Sequence, residues 1–219
     1  MIEGNLNLRS FFKKGYCVAK VEKSMSDYLL GVIQRQPFVE GDGVYASENF
    51  RAPLISKWES SKIIPSENKD APQELTDFYN QAKVHSFFKP IREALGEFSQ
   101  GCPMINRFRN GDGMVWHTDS LDATAITCCL YLTPDEFTYE DGGWLGVGRA
   151  IGDSVALFDR ILPNHGTLVV INNLDPTNQH RVDPVKAEKE RNTLLFHLGY
   201  VEHTLTKARL KDIRNVIEP

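Results

Sequence analysis

Two histidines and one aspartate in the second half of this sequence have the residue types and the spacing of a metal site. His117 and Asp119 are separated by a single residue, and His180 follows later in the chain. In an extended segment alternate side chains project to the same side, so His117 and Asp119 can bind one ion together. Two imidazoles and one carboxylate are a ligand set that binds non-haem Fe(II) and leaves coordination positions open. With a net charge of about +1, such a centre favours an anionic bidentate ligand.

Arg191 and Thr193 are candidates for binding the far end of that ligand. They lie two positions apart in the segment 191–198, whose composition predicts a β-strand, so the guanidinium and the hydroxyl share one face. A guanidinium binds a carboxylate through two parallel charge-assisted hydrogen bonds, and a hydroxyl can add a third. The pattern therefore indicates a dicarboxylate that bridges the metal and Arg191. His197 shares the same face, and we interpret it as a packed or pocket-lining residue rather than a catalytic base.

The surrounding elements distinguish this pattern from a chance His-x-Asp sequence in a surface loop, which is the usual alternative. A Gly-Asp-Gly turn over 111–113 precedes the pattern, and the apolar run 126–132 after it predicts a buried strand. A second turn over 141–143 and another apolar strand over 166–172 come before His180. Every candidate ligand therefore lies at a strand end or a turn.

The order of these motifs resembles that of the Fe(II)/2-oxoglutarate-dependent dioxygenases, and within them the prolyl 4-hydroxylase-like group. The motifs extend over about residues 102–200, nearly half of the chain. They are Asn106–Gly113, His117–Asp119, Tyr131–Thr133, Gly142–Leu145, Gly166–Val170, His180–Val182 and Arg191–Thr193. The segment 15–21, followed by a helical stretch, also resembles the N-terminal lead-in of the family.

The resemblance implies a mainly β fold with flanking helices (α+β), built on a double-stranded β-helix core of the jelly-roll or cupin type. The catalytic iron ligands that it implies are His117, Asp119 and His180. Arg191 is then the residue that binds the distal carboxylate of 2-oxoglutarate, with Thr193 and Tyr131 as further cofactor-binding candidates. The implied reaction consumes O₂, converts 2-oxoglutarate to succinate and CO₂, and hydroxylates an unactivated C–H bond, with ascorbate as a candidate reductant. Because Asp119 fills the position that halogenating relatives leave open for chloride, hydroxylation is favoured over halogenation.

Three positions depart from the pattern of the family. Phe108 stands where many prolyl-hydroxylase relatives have a tyrosine in the strand before the His-x-Asp motif. The tyrosine that contacts the distal carboxylate in the oxygen-sensing prolyl hydroxylases aligns nearer Leu130 than Tyr131. Nucleic-acid demethylases of the superfamily have a second arginine where this chain has His197, which argues against base repair.

Length and composition agree with a single domain over residues 1–219. Helical support over about 1–100 is expected to precede a catalytic β-helix core over about 101–202. The 219 residues are 41% hydrophobic, which is enough for a substantial core. A net charge of −4 and a pI near 5.9 give no electrostatic footprint for nucleic acid as a partner.

The sequence also indicates a cytoplasmic protein without a membrane partner. The N-terminus has no signal-peptide pattern, and no apolar run approaches the ~20 residues of a membrane span. Cys128 and Cys129 are adjacent in a predicted strand and therefore should point to opposite faces. The four cysteines form no disulfide framework, and we expect buried thiols in a reducing compartment.

Helices are expected outside the β-helix. Apolar spacing predicts one helix over 22–37, ended by Pro37, and a second over about 72–98 with a break at Pro90. Residues 38–71 are predicted to be mostly loop with one or two short strands.

Substrate contacts are predicted only from proximity in the sequence. Arg109, Trp116 and Trp144 lie near the metal motifs, while Tyr45 and Arg51 lie in the 38–71 region, which can form a lid. An ordinary surface or packing role is an equal alternative for each. The resemblance makes a proline in a peptide or protein the first candidate substrate. A free amino acid or other small metabolite is the second, and a non-catalytic metal- or ligand-binding β-helix protein is the third hypothesis.

Overall fold

The structure, a computed structural model, describes residues 1–40, 54–56, 71–96, 98–99, 103–119 and 124–200. Tyr45 and Arg51, two of the candidate substrate contacts, lie outside the described residues, as does most of the 38–71 region. The two short strands expected in that region are present in its described parts, at 38–40 and 54–56.

Two antiparallel sheets make up the β structure of the described chain. The larger sheet consists of β1 (Ile2–Glu3), β2 (Tyr16–Val21), β3 (Phe38–Glu40), β4 (Leu54–Ser56), β5 (Phe98–Ser99), β6 (Pro103–Phe108), β8 (Thr124–Tyr131), β11 (Thr167–Asn172) and β13 (Arg191–Tyr200). The smaller sheet consists of β7 (Met114–His117), β9 (Leu145–Ile151), β10 (Ser154–Ile161) and β12 (Asn178–Val182). Their strand orders are β1-β2-β11-β8-β13-β6-β4-β3, with β5 beside β13, and β10-β9-β12-β7.

The two sheets pack face to face around an apolar core. Phe108, Cys129 and Val169 of the larger sheet belong to the same buried cluster as Leu145 and Val147 of the smaller sheet. Burial of these side chains is the main term that holds the sheets together, at roughly 25 cal/mol per Å² of apolar surface removed from water. This sandwich confirms the predicted fold class, a mainly β protein with flanking helices and a double-stranded β-helix core.

The outer face of the larger sheet is covered by four helices. They are α1 (Leu8–Lys14), α2 (Lys23–Gln34), α3 (Gln73–Val84) and α4 (Lys89–Leu95). Their apolar faces form a second buried cluster together with alternate residues of the sheet, among them Cys128 and Leu168. Cys128 thus faces the helices and Cys129 faces the other sheet, as the strand alternation predicted.

The helix over 22–37 is confirmed with shorter bounds, but the break in the second helical segment is misplaced. The chain leaves the helix at His85, which has an extended backbone (φ −59°, ψ 147°), and passes through a 3₁₀ turn, Ser86–Phe88. Pro90 lies in the first turn of α4, where its missing N–H has no helical acceptor. Proline therefore begins α4 and does not interrupt a longer helix.

Within the described ranges, no helix has the length and apolar character needed to cross a membrane.

Candidate metal centre and anion site

Three side chains that can bind a metal meet where β7 ends. His117 is the last residue of β7, and its partner across the smaller sheet is His180 in β12, while Asp119 lies in the bend after β7. One ligand atom from each residue lies within 4.8 Å of the other two. The His117 Nε2 atom is 3.7 Å from Asp119 Oδ1, and the His180 Nε2 atom is 3.5 Å from Asp119 Oδ2. Alternation therefore brings the His-x-Asp pair to one side, as expected from the sequence.

The protonation states of the cluster suit a metal ligand set. The His117 Nδ1 atom is 2.9 Å from the Val115 carbonyl oxygen, which can only accept, so Nδ1 donates and this bond orients the ring with Nε2 toward Asp119. Burial, reinforced by His117, lowers the pKa of His180 to about 3, so its imidazole is neutral at ordinary pH. Burial raises the pKa of Asp119, but the neighbouring histidines and a hydrogen bond from Thr127 more than offset this, and the pKa lies below its usual value. A neutral imidazole and a carboxylate are the forms that bind a metal.

Arg191 provides a buried positive charge at the other end of the site. The residue is 2% exposed. Its Nε–H donates to the Gly143 carbonyl oxygen at 2.7 Å, and Nη1 donates to Thr193 Oγ1 at 2.8 Å. Among the described residues, no aspartate or glutamate forms an ion pair with this guanidinium. A buried charge with only neutral partners carries a large desolvation cost, which an anionic ligand would offset.

A glycine turn holds the guanidinium in place. Gly142 and Gly143, between the strands of the two sheets, have φ values of +70° and +66°, which L-residues with side chains rarely adopt. A Cβ at Gly143 would lie 3.4 Å from Arg191 Cδ and 3.1 Å from the ring of Phe137. The turn thus lets its own carbonyl approach Arg191 closely.

Two polar side chains beside Arg191 have buried atoms without partners. In the strand register, Thr193 lies opposite Asn106 of β6 and Tyr131 of β8. The Tyr131 hydroxyl and the Asn106 Oδ1 atom are buried, and within the described ranges neither makes a hydrogen bond of ordinary geometry. Burial raises the pKa of Tyr131, only partly opposed by Arg191, so the hydroxyl remains a proton donor. Unsatisfied buried polar atoms are uncommon and point to a missing ligand or water.

The inward face of β13 connects the two ends of the site. Arg191 and Thr193 lie at one end, and the His197 Nδ1 atom, at the other, is 3.1 Å from Thr127 Oγ1, which donates to Asp119 Oδ2 at 2.5 Å. With a rise of about 3.3 Å per residue, the four steps from Thr193 to His197 span roughly 13 Å. Leu195 lies between them, opposite Met104 and Cys129. The site therefore has a cationic end, an apolar middle and a metal-binding end, which suits an elongated diacid.

Comparison with known proteins agrees with this geometry. Residues 103–198 match the 2OG-Fe(II) oxygenase superfamily, and they contain all three candidate metal ligands and Arg191. The resemblance to the Fe(II)/2-oxoglutarate dioxygenases is confirmed. The cofactor and cosubstrates of this superfamily, Fe(II), 2-oxoglutarate and O₂, fit the donor set and the buried guanidinium of the site. No curated protein sequence matches the chain.

Solved structures of 2OG-Fe(II) oxygenases share the fold at low sequence identity. A prolyl-4-hydroxylase from Pseudomonas putida is 17% identical, with 88% of this chain and 96% of that chain covered and a TM-score of 0.60. A prolyl hydroxylase from Trichoplax adhaerens, in complex with a hypoxia inducible factor oxygen degradation domain peptide fragment, is 18% identical, with 90% and 88% covered and a TM-score of 0.61. A 2OG-Fe(II) oxygenase family oxidoreductase from Burkholderia pseudomallei is 16% identical, with 88% of each chain covered and a TM-score of 0.65.

The structure separates two of the candidate substrate contacts of this protein from the metal cluster. Trp144 stacks between the guanidinium groups of Arg160 and Arg181, and Trp116 stacks on Arg181. A Cβ on Gly146 would touch Trp144 and Arg181, and the inward residues beside it are Leu145 and Val147, so this stack lies on the outer face of the smaller sheet. The geometry argues against direct contact between these tryptophans and a substrate at the triad.

Arg109 lies at the surface beside the anion end. Its guanidinium donates to Glu190 Oε1 at 2.8 Å and 3.1 Å. Its role as a substrate contact stays a prediction.

Strand alternation corrects the assignment of the tyrosine in β8. Leu130, to which the family tyrosine aligned more nearly, belongs to the cluster under the helices. Tyr131 faces the other sheet, with its ring 4.8 Å from the guanidinium carbon of Arg191. The residue that can reach a ligand at Arg191 is therefore Tyr131.

Sequence reasoning missed Thr127, Asn173 and Asn106. The first two form a hydrogen-bonded group with Asp119, and the third lines the anion end. A usable signal was present for Thr127, a polar residue that shares the inward parity of Cys129 and Tyr131 in an otherwise apolar strand. Asn106 had the same signal relative to Phe108 in β6.

Proposed function

We propose that this protein is an Fe(II)- and 2-oxoglutarate-dependent dioxygenase that hydroxylates a prolyl residue in a peptide or protein. The observation that carries the proposal is Arg191, a buried guanidinium without an acidic partner in the described chain, on the strand that leads to the His117–Asp119–His180 cluster. When bound there, Fe(II) would activate O₂ and couple the conversion of 2-oxoglutarate to succinate and CO₂ with hydroxylation of a C–H bond.

Different residues of the chain would bind the metal and the cosubstrate. His117, Asp119 and His180 would hold the metal through two Nε2 atoms and one carboxylate oxygen. Arg191, Thr193 and Tyr131 would bind the distal carboxylate, and the apolar wall of Leu195 and Cys129 would exclude water from the middle of the cosubstrate. A residue that acts as a base is not required, because the cofactor performs the chemistry and the protein orients the reactants.

Support for a prolyl substrate comes from the structural neighbours. The Pseudomonas putida and Trichoplax adhaerens structures are both described as prolyl hydroxylases, and the second holds a peptide fragment. At these low sequence identities the two structures show only a shared fold, so the substrate class needs a direct test.

The cosubstrate assignment is tested by anaerobic titration of the Fe(II)-loaded protein with 2-oxoglutarate, followed by admission of O₂ and an assay of succinate. We expect the weak visible absorption band of a chelated 2-oxo acid, followed by succinate. Arg191→Leu should weaken 2-oxoglutarate by about 2–5 kcal/mol, because it removes one partner of a buried charge pair, and should leave Fe(II) affinity unchanged.

Arg107→Leu is the matched control. Arg107 lies on β6, which pairs with β13, but it faces the other side of the sheet, where it donates to Asn192 Oδ1 and stacks on Phe38. Its removal should leave the affinity for 2-oxoglutarate unchanged. Equal effects of the two substitutions would move the anion site away from Arg191.

The substrate class is tested with a library of proline-containing peptides. We expect some of them to raise succinate formation above the rate without a substrate, with a mass gain of one oxygen on the peptide. Succinate formation that responds to free amino acids or other small metabolites and not to peptides would instead identify a small-molecule hydroxylase. A well-folded, metal-loaded protein that forms no succinate would exclude both.

A further inference from the structure

Three side chains form a hydrogen-bonded group at the carboxylate of Asp119, in which Thr127 contacts the carboxylate and the other two contact Thr127. The Thr127 hydroxyl donates to Asp119 Oδ2 at 2.5 Å, and the amide Nδ2 of Asn173 donates to Thr127 Oγ1 at 2.8 Å. The His197 Nδ1 atom lies 3.1 Å from the same hydroxyl oxygen. Thr127 is fully buried and Asn173 is 3% exposed, so these bonds are protected from water. Residues from three other parts of the fold, just after β7, just after β11 and in β13, thus converge on one hydroxyl group of β8.

The hydrogen-bond capacity of a hydroxyl fixes the direction of every bond in this group. A threonine hydroxyl has one proton to donate and two lone pairs that accept. The carboxylate of Asp119 can only accept, so it takes the proton, and the Asn173 amide nitrogen can only donate. His197 must therefore donate from Nδ1 to the second lone pair. Thr127 is saturated, and it cannot rotate to another partner without leaving a buried group unsatisfied.

The saturated hydroxyl of Thr127 engages one of the two carboxylate oxygens of Asp119. The Thr127 proton is donated to Oδ2 of Asp119, which lies 3.5 Å from His180 Nε2, whereas Oδ1 lies 3.7 Å from His117 Nε2 and receives no proton from Thr127. A carboxylate held in this way presents one oxygen to a metal, since the other is engaged in a short charge-assisted hydrogen bond. Binding through one oxygen leaves coordination positions open for a bidentate 2-oxo acid and for O₂.

We propose that Thr127, fixed by Asn173 and His197, is a positioning residue that orients Asp119 for metal binding through a single carboxylate oxygen. This rests on the proposed function only in that the cluster must bind a divalent metal. Partners that orient a ligand in this way usually change metal affinity about 10- to 100-fold when they are removed.

The test is equilibrium dialysis of the metal-free protein against Mn(II), with thermal unfolding of the same metal-free samples. Thr127→Val keeps the shape of the side chain and removes the hydroxyl, and we expect the Kd for Mn(II) to rise roughly 10- to 100-fold. Thr127→Ser restores the hydroxyl and should restore most of the affinity. Thr133→Val is the matched control, because Thr133 is also buried and donates one hydrogen bond, to the Pro163 carbonyl oxygen. It should lower the unfolding temperature without a change in Mn(II) affinity.

A double-mutant cycle tests whether Asn173 acts through Thr127. Asn173→Leu should weaken Mn(II) in the natural background and have no further effect in the Thr127→Val background, because the contact it removes is already absent. Additive losses would overturn the role of Asn173.

The outcomes separate the positioning role from the metal site itself. If the unchanged protein binds no Mn(II), the proposed function fails. If it binds Mn(II) and folded Thr127→Val binds equally well, the metal site stands and the positioning role is overturned. A loss that Thr127→Ser does not restore would also overturn it, because the hydroxyl would then not be the cause.

Discussion

At the scale of single residues, the anion end of the site is unusual because its polar groups are incomplete without a ligand. Arg191 is buried against Phe108 and Tyr131 with only neutral hydrogen-bond partners. The buried Tyr131 hydroxyl lies beside Arg191 and makes no hydrogen bond of ordinary geometry within the described residues. A packed core with no ligand to bind would gain by replacing such groups with apolar side chains. Their presence is therefore a cost to the free protein that a bound carboxylate can offset.

We expect Tyr131→Phe to have opposite effects on the stability of the protein and on ligand binding. The substitution removes only a hydroxyl that makes no hydrogen bond of ordinary geometry within the described residues, so the free energy of unfolding should stay the same or rise by up to about 1 kcal/mol. The affinity for 2-oxoglutarate should fall by about 1.5–3 kcal/mol, the contribution of a hydrogen bond to a charged group. Denaturant unfolding and calorimetric titration of the Mn(II)-loaded protein measure the two quantities. A variant that is both less stable and unchanged in affinity would show that the hydroxyl has a structural role instead.

At the scale of elements, the turn between β8 and β9 holds Arg191 in position. Gly143 has φ +66° and accepts the Arg191 Nε–H through its carbonyl, and an added Cβ would lie 3.1 Å from Phe137 and 3.2 Å from Val185. A side chain here would push Phe137 and Val185 by a few tenths of an ångström and would contact Arg191 Cδ at 3.4 Å, in addition to the strain of the left-handed backbone.

Gly143→Ala is therefore expected to weaken 2-oxoglutarate at least tenfold, as loss of the correct arginine position removes a charged hydrogen bond. Gly152→Ala is the control, since Gly152 also has a left-handed backbone, φ +59°, but nothing lies within 4 Å of its added Cβ. Both should lose about 1–2 kcal/mol of stability from backbone strain. Only the first should change the apparent affinity in a titration, and equal affinities for the two variants would show that the turn does not position Arg191.

The parts of the fold that follow from strand alternation could be predicted from the sequence. Three such features rest on the two-residue period of a strand. They are the shared side of His117 and Asp119, the shared face of Arg191, Thr193 and His197, and the opposite faces of Cys128 and Cys129. The same rule places Tyr131, and not Leu130, on the face that carries Arg191, although the family tyrosine aligns nearer Leu130.

Features that depend on long-range register could not be predicted in this way. The contact of Thr127 with Asn173 and His197 requires β8 to lie between β11 and β13 with one particular pairing, which local pattern does not specify. The helix α1 has only seven residues, too few for an apolar period to show, although Asn7 caps its start and Gly15 ends it. The outward direction of Trp144 depends on the conformation of the glycine turn before it.

At the scale of the whole molecule, the candidate metal ligands and the candidate cosubstrate-binding residues belong to different sheets. His117 and His180 belong to the smaller sheet, whereas Arg191, Thr193 and Tyr131 belong to the larger one. Asp119, just after β7, is hydrogen-bonded to Thr127 of β8 and so forms one direct polar link between the two sheets at this end. A molecule that chelates the metal and also binds Arg191 would connect the sheets across the apolar core.

The two ligands should consequently stabilise the fold cooperatively. A ligand at 100 times its Kd adds about 2.7 kcal/mol to the free energy of unfolding. Mn(II) and 2-oxoglutarate together should add more than the sum of their separate effects, because each raises the affinity of the other by the same factor. Succinate, which has both carboxylates but no 2-oxo group, can bind Arg191 without chelating the metal in the same way, so its effect with Mn(II) should be close to additive.

Thermal unfolding with each ligand and each pair measures this difference, and hydrogen exchange should show extra protection in both β12 and β13 only with Mn(II) and 2-oxoglutarate. Equal cooperativity with succinate, or protection confined to one sheet, would show that the 2-oxo acid does not bridge the metal and the arginine.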